Sequence, residues 1–177
     1  NKKINDLNRY LDIGIDGVII PNVNDIEDLK NIKDIVYFPP IGLRGVGLSR
    51  ANKFGSNFDS YFHKNSKKIE LISIIETKQA VLNLDSILNY KYLDGIMIGP
   101  YDLSSSLGVP GKFNTPIFKK NLKIIESKVK KTKKYLGIHV VAPDKNIINK
   151  YLKKNYNFLV YSLDTILMKK AIENIMS

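Results

Sequence analysis

Two short apolar runs each end on a carboxylate: Ile74-Ile75-Glu76-Thr77, and Ile98-Gly99-Pro100-Tyr101-Asp102-Leu103-Ser104. On neighbouring strands, Glu76 and Asp102 could hold a hard divalent cation and leave most of its octahedral positions to water and substrate oxygens. The same residues could instead cap the helices that follow, because a carboxylate at a helix N-terminus is stabilised by the exposed N–H groups there. Spacing alone leaves both readings open.

Arg44 is the next candidate. The chain has only three arginines, Arg9, Arg44 and Arg50, in a sequence whose habitual cation is lysine. Arg44 sits in Pro39-Pro40-Ile41-Gly42-Leu43-Arg44-Gly45-Val46-Gly47, where glycine lets the backbone fold tightly and a guanidinium can clamp a carboxylate or phosphate with two hydrogen bonds. A surface arginine in a mobile loop is the competing reading. Gly45 and Gly47 do not make a dinucleotide fingerprint, since no third glycine follows at the required spacing and no strand directly precedes them. His63 lies in a polar helix and His139 in an apolar strand, neither with a partner at nucleophile or metal-ligand spacing, so structural or surface roles are expected for both. The absence of cysteine excludes disulfides and thiolate metal sites. No Gly-x-Ser-x-Gly elbow supports a serine hydrolase.

The elements that must position these residues alternate. Helix is expected to finish over 5–13 with Gly14 as its C-cap, strand over 17–21, and helix from an Asn24 or Asp25 cap to Asp34. A loop follows over 38–55 and a short helix over 57–64. Next come strand 68–75, helix 78–89, strand 95–98, a second polar loop over 100–116, helix 117–134, strand 137–142, helix 144–154, strand 158–161 and helix 165–175. This is the pattern of an α/β protein with a parallel sheet buried on both faces. Ile15-Asp16-Gly17-Val18-Ile19-Ile20-Pro21 is echoed by Leu93-Asp94-Gly95-Ile96-Met97-Ile98-Gly99-Pro100, as repeated βα units would be.

At 177 residues and 44% hydrophobic composition, one domain over 1–177 is expected. That is short for a complete (β/α)8 barrel, which needs ~250 residues. The chain starts on Asn1 and opens into helix with no preceding strand, so an N-terminal portion is expected to be missing. The net charge of +11 raises nucleic acid as a partner. The lysines, however, fall on helices that keep Ile124, Ile125 and Val129, or Ile147, Ile148, Tyr151 and Leu152, for an inner face, as a solvated outer ring would. No nucleic-acid or membrane partner is expected, and a cytoplasmic location is. Tyr135 and Tyr151, the aromatic residues near the lysine runs, read as core-facing.

Taken in order, these motifs resemble the HpcH/HpaI aldolases. They run from Tyr37 to Gly47, through Ile75-Glu76-Thr77 with Ala80 and Asn83-Leu84-Asp85, to Asp94 to Ser104, with Tyr161-Ser162-Leu163-Asp164-Thr165 near the end. The resemblance implies a (β/α)8 TIM barrel, incomplete here with about five C-terminal βα units, and a homo-oligomer that exchanges its last helix. It implies Mg²⁺, Mn²⁺ or Co²⁺ on Glu76 and Asp102, pyruvate seated by Pro100, Tyr101 and Asp102, and Arg44 contacting pyruvate and stabilising charge on its oxygen. The implied reaction cleaves or forms 4-hydroxy-2-oxo acids through a pyruvate enolate and an aldehyde. A citrate-synthase-like or thioester-lyase reaction on the same barrel is the alternative, and a lysine-rich scaffold is a third. Family members carry a catalytic His with an acidic partner on an early loop, and neither His63 nor His139 matches it. The 177 residues alone are therefore expected to be weakly active or inactive, with an unpaired sheet edge.

Overall fold

The computed structural model describes residues 2–176. Helix α1 (Lys2–Ile13) leads through Gly14 into β1 (Gly17–Ile20), and α2 (Ile26–Val36) follows. Asp25 starts α2 with a capping box, its carboxylate accepting from the Glu27 and Asp28 amides while the Asp28 carboxylate accepts from the Asp25 amide. After a long connection with a short 3₁₀ segment (Arg50–Gly55) come α3 (Phe58–His63) and β2 (Glu70–Ile75). The chain continues with α4 (Lys78–Leu82), α5 (Leu84–Leu88), β3 (Gly95–Ile98), α6 (Pro100–Ser106), α7 (Pro116–Val129), β4 (Tyr135–Val140), α8 (Lys145–Leu152), β5 (Phe158–Tyr161) and α9 (Asp164–Met176).

The five strands pair in sequence order, every pair parallel. This is the expected run of five βα units, an open half-barrel. Strand periodicity sorts the side chains by face. Leu71, Ile75, Ile96, Ile98, Leu136 and Ile138 point to the helical layer and are fully or almost fully buried. Ile19 and, by register, Ile72, Ile74 and Met97 lie on the other face, where Ile19 stays exposed and Ile72 and Ile74 are only half-buried. Central β3 is buried at all four positions.

The sequence expectation is departed from at several places, among them the helix expected over 117–134, which ends at Val129, and the strand expected over 137–142, which runs from Tyr135 to Val140. Residues 100–106 form a helix instead of the start of a polar loop: Pro100 occupies its first turn without needing an amide partner, and Leu103 anchors it in the core. The helix expected over 78–89 breaks at Asn83, which leaves helical geometry at φ −89°, ψ 9°. Tyr135 is exposed on the first residue of β4 and does not face the core.

Two buried tyrosines tie layers together. The Tyr37 hydroxyl donates to the Ile69 carbonyl at 2.8 Å, and the Tyr156 hydroxyl donates to Glu126 at 2.9 Å. Burial, reinforced by Asp94, pushes Tyr37 up to about 12, and burial with Glu126 beside it raises Tyr156 as well. A raised folded-state value means that the folded chain holds the proton longer, so this stabilisation is complete below pH ~10, the unfolded value, and is lost as pH rises through the folded one. Urea unfolding midpoints should therefore fall from pH 10 to 12, and Tyr37→Phe should flatten that fall. An unchanged slope in the variant would show that Tyr37 does not carry it.

Candidate functional site

Glu76 and Asp102 converge on one cleft of about 460 Å³, bordered also by Pro21, Asn22, Thr77, Ser105 and Ser106. Glu76 continues the inner-face periodicity of Ile72 and Ile74 one step beyond β2, so its side chain emerges at the carboxyl rim of the sheet, where α/β barrels place their chemistry. It does not cap α4. Thr77 does that, its hydroxyl accepting from the Ala80 amide at 3.0 Å. The buried Glu76 carboxylate reaches instead to the backbone just beyond the end of β1, one oxygen (Oε1) accepting from the Asn22 amide at 2.6 Å.

Asn22 is the site residue that sequence reasoning missed. Its φ of +58° is a left-handed conformation that asparagine tolerates better than most residues. An Asn directly after the strand-ending Pro21 was the available signal. Gly99 packs against Glu76: a Cβ there would stand 3.1 Å from the Glu76 Cβ and Ile74 Cγ2, and 3.2 Å from the second Glu76 oxygen (Oε2). The backbone thus comes close to that oxygen only because the residue is glycine.

Asp102 lies in the first turn of α6, suited to the positive end of a helix, and is exposed. Its carboxylate makes no hydrogen bond or ion pair among the described residues. The Lys78 amide donates to the Ser106 hydroxyl at 2.9 Å, which fastens the start of α4, just after Glu76, to the end of the helix that carries Asp102. Two hard oxygen donors are therefore presented to one cleft, one held by a backbone amide and one free. That donor set fits a Mg²⁺- or Mn²⁺-class ion completing its shell with water or substrate. No cluster of three or more His, Cys, Asp or Glu occurs among the described residues.

The other sequence candidates are not brought into this cleft. Arg44 is neither a surface arginine nor a free clamp: it is almost fully buried, donates to Asp12 at 2.8 Å and to the Tyr61 hydroxyl at 3.1 Å, and stacks over Phe38 at 4.6 Å. It borders a separate cavity of about 710 Å³ that shares only Pro21 and Asn22 with the carboxylate cleft. Pro100 and Tyr101 line a third cavity, of about 270 Å³, with Phe113 and His139. His139 bonds the Ser162 carbonyl and His63 packs edge-on against Phe62.

A parallel half-barrel that presents two carboxylates at its carboxyl rim has the form of an α/β-barrel active-site face. The family model for HpcH/HpaI aldolase/citrate lyase matches residues 2–171, and the chain belongs to that family. It is 33% identical over 170 residues to 2-keto-3-deoxy-L-rhamnonate aldolase of Salmonella paratyphi A, covering 95% of this chain and 62% of that protein. The same enzyme of Salmonella typhimurium is 32% identical over the same length. The chain thus spans less than two thirds of the curated relatives it matches. Among solved structures, an HpcH/HpaI aldolase from Desulfitobacterium hafniense superposes with a TM-score of 0.88 at 26% identity, covering 98% of this chain and 67% of that one. A macrophomate synthase shares the fold, with a TM-score of 0.80 at 20% identity over 96% of this chain and 60% of that one. No described helix is long and apolar enough to cross a membrane.

Proposed function

We propose that the chain carries the metal- and pyruvate-binding half of an aldolase site that cleaves or forms 4-hydroxy-2-oxo acids, with an aldehyde as the second partner. The observation that supports this is the convergence of Glu76 and Asp102 on one cleft with carboxylate oxygens to spare. In this reading the free Glu76 oxygen and Asp102 hold the divalent ion, while the Asn22 amide fixes the Glu76 rotamer and Gly99 lets the backbone after β3 pack against that carboxylate. A divalent ion there supplies Lewis acidity toward the keto oxygen of a bound 2-oxo acid. At the start of α6, after Pro100, the backbone amides of Tyr101 and Asp102 donate to the pyruvate carboxylate, while the Pro100 and Tyr101 side chains face the neighbouring cavity.

Arg44 acts indirectly, bracing its loop against α1 through Asp12. The group that moves the proton is not assigned to His63 or His139, neither of which lines the cleft. The exposed Leu167, Met168, Ile172, Ile175 and Met176 of α9 fit a helix that packs against a second copy, in line with a homo-oligomer.

Mn²⁺ titrated into the chain and followed by water-proton relaxation should show binding that tightens when pyruvate is added and disappears with excess EDTA. Mn²⁺ binding indifferent to pyruvate, or equal tightening by acetate, would overturn the pyruvate assignment. In a complementary assay, metal-dependent release of pyruvate from 4-hydroxy-2-oxo acids should exceed any turnover of oxaloacetate or acyl thioesters.

A further inference from the structure

The side of α6 turned away from the carboxylates borders a cavity that takes no part in the aldolase reading. Asp102, Ser105 and Ser106, spaced i, i+3 and i+4, give one side of that helix to the cleft. Pro100 and Tyr101 instead border the cavity of about 270 Å³ that β4, α7 and α8 also line, and no residue lines both. Its volume is at the small end for a ligand pocket, which suits a single ring: an apolar cavity of ~150 Å³ takes up benzene.

Aromatic side chains hold the walls of this cavity in place by packing on one another. Tyr101 meets Phe113 edge-on with ring centroids 5.0 Å apart, and Phe113 leans on the buried Phe118 at 5.3 Å. From α8, Tyr151 is set against the buried Tyr156 at 4.9 Å. Val140 and Ile147 extend the apolar lining. Rings fixed before a ligand arrives lose little side-chain entropy on binding it, and a further ring finds edge and face partners among them.

Charge at the cavity decides what kind of ring it takes. Aromatic faces by themselves attract cations. Here Lys150 already holds that place, its Nζ 5.9 Å from the Tyr151 ring centroid, and it pairs with no carboxylate among the described residues. The nearby acidic residues are engaged elsewhere: Glu126 accepts from Lys154 and Tyr156, and Asp144 from the Asn146 amide. No Asp or Glu lines the cavity, and the His139 Nε2 is spent on the Ser162 carbonyl at 3.2 Å. A second cation would be repelled, whereas an anionic group on the ring would meet an unpaired ammonium and the Asn114 side-chain amide, which can donate. One lysine and one amide match a monoanion, a carboxylate.

We propose that this cavity is a binding site for a small aromatic carboxylate, separate from the aldolase cleft. The inference stands whether or not the cleft binds a metal. 4-Fluorobenzoate is the probe, its fluorine resonance followed by NMR as the 177-residue chain is added without metal. Binding is expected, and 4-fluorobenzylamine, a cation of similar shape, should bind at least about tenfold more weakly because it faces a like charge. Lys150→Met keeps the stem and removes the charge, and should weaken 4-fluorobenzoate roughly tenfold, the loss of one charge-assisted hydrogen bond, while Lys150→Arg stays within about threefold of wild type. Phe113→Ala, with folding checked by urea unfolding, should weaken it by about fivefold through the lost ring contact. Saturating Mn²⁺ and pyruvate should leave the probe bound. No binding, equal binding of the amine, or indifference to Lys150→Met or to Phe113→Ala would overturn the site. Displacement of the probe by Mn²⁺ and pyruvate would place it in the cleft and overturn a separate one.

Discussion

Glu76→Gln is expected to lower the affinity of the chain for Mn²⁺ by at least about 100-fold, since even outer groups that merely orient a metal ligand cost 10–100-fold when removed. The substitution keeps the shape and the oxygen that accepts from the Asn22 amide at 2.6 Å, so the rotamer should persist. What it removes is the charge, and with it the second anionic oxygen beside Gly99. Asp102→Asn should weaken binding less, because Asp102 is exposed and its side chain can be replaced by water at modest cost, whereas the buried Glu76 is fixed in place before the ion arrives. Titration with Mn²⁺ by electron spin resonance, with unfolding curves for each variant, separates loss of a ligand from loss of the fold. Equal Mn²⁺ affinity in wild type and both variants would remove both carboxylates from any metal site.

The positions of the carboxylates were legible because the short, β-branched, Ile-rich runs before them read as buried strands by length and composition, which puts the residues at their ends at the rim. That Glu76 is not a helix cap was not legible, since it depends on Asn22, fifty-four residues away in sequence, and on Thr77 taking the cap instead. Helix α6 was missed because its seven residues include three serines, poor helix formers, so local propensity pointed to a loop while burial of Leu103 decided otherwise. Arg44 was read as unusual, and its partners in the structure, Asp12 and Tyr61, lie outside the carboxylate cleft. Its Asp12 partner lies on a neighbouring helix, and no sequence signal distinguishes a guanidinium reserved for substrate from one neutralised by the protein's own carboxylate. The Asp-Gly pair that leads into β1 and β3 was visible in the sequence as an echo of repeated βα units.

Gly42→Ala is expected to destabilise the chain by roughly 3 kcal/mol, at the upper end of what overpacking costs, because the clash is with backbone that cannot rotate aside. A Cβ at Gly42 would stand 2.3 Å from the Tyr37 carbonyl oxygen and 2.7 Å from that of Lys33. Both oxygens are already in use, accepting from the Arg44 and Tyr37 amides at 3.0 Å. Relief requires residues 42–44 to swing away from the end of α2, which breaks the Arg44 bond, the Gly42 amide bond to Phe38 at 3.0 Å and the Leu43 amide bond to Asp34 at 2.7 Å. Arg44 would then be drawn off Asp12 and Tyr61, leaving a buried guanidinium short of partners, so the cost spreads beyond the methyl group itself. Gly45 and Gly47 have nothing within 4 Å of an added Cβ, and Gly45→Ala and Gly47→Ala should stay within about 0.5 kcal/mol of wild type by urea unfolding. The same three variants test the role given to Arg44. If it braces the loop and does not touch substrate, the folded fraction of Gly42→Ala should still bind Mn²⁺ with pyruvate as wild type does, and loss of the pyruvate effect in the folded variant would restore Arg44 to the site.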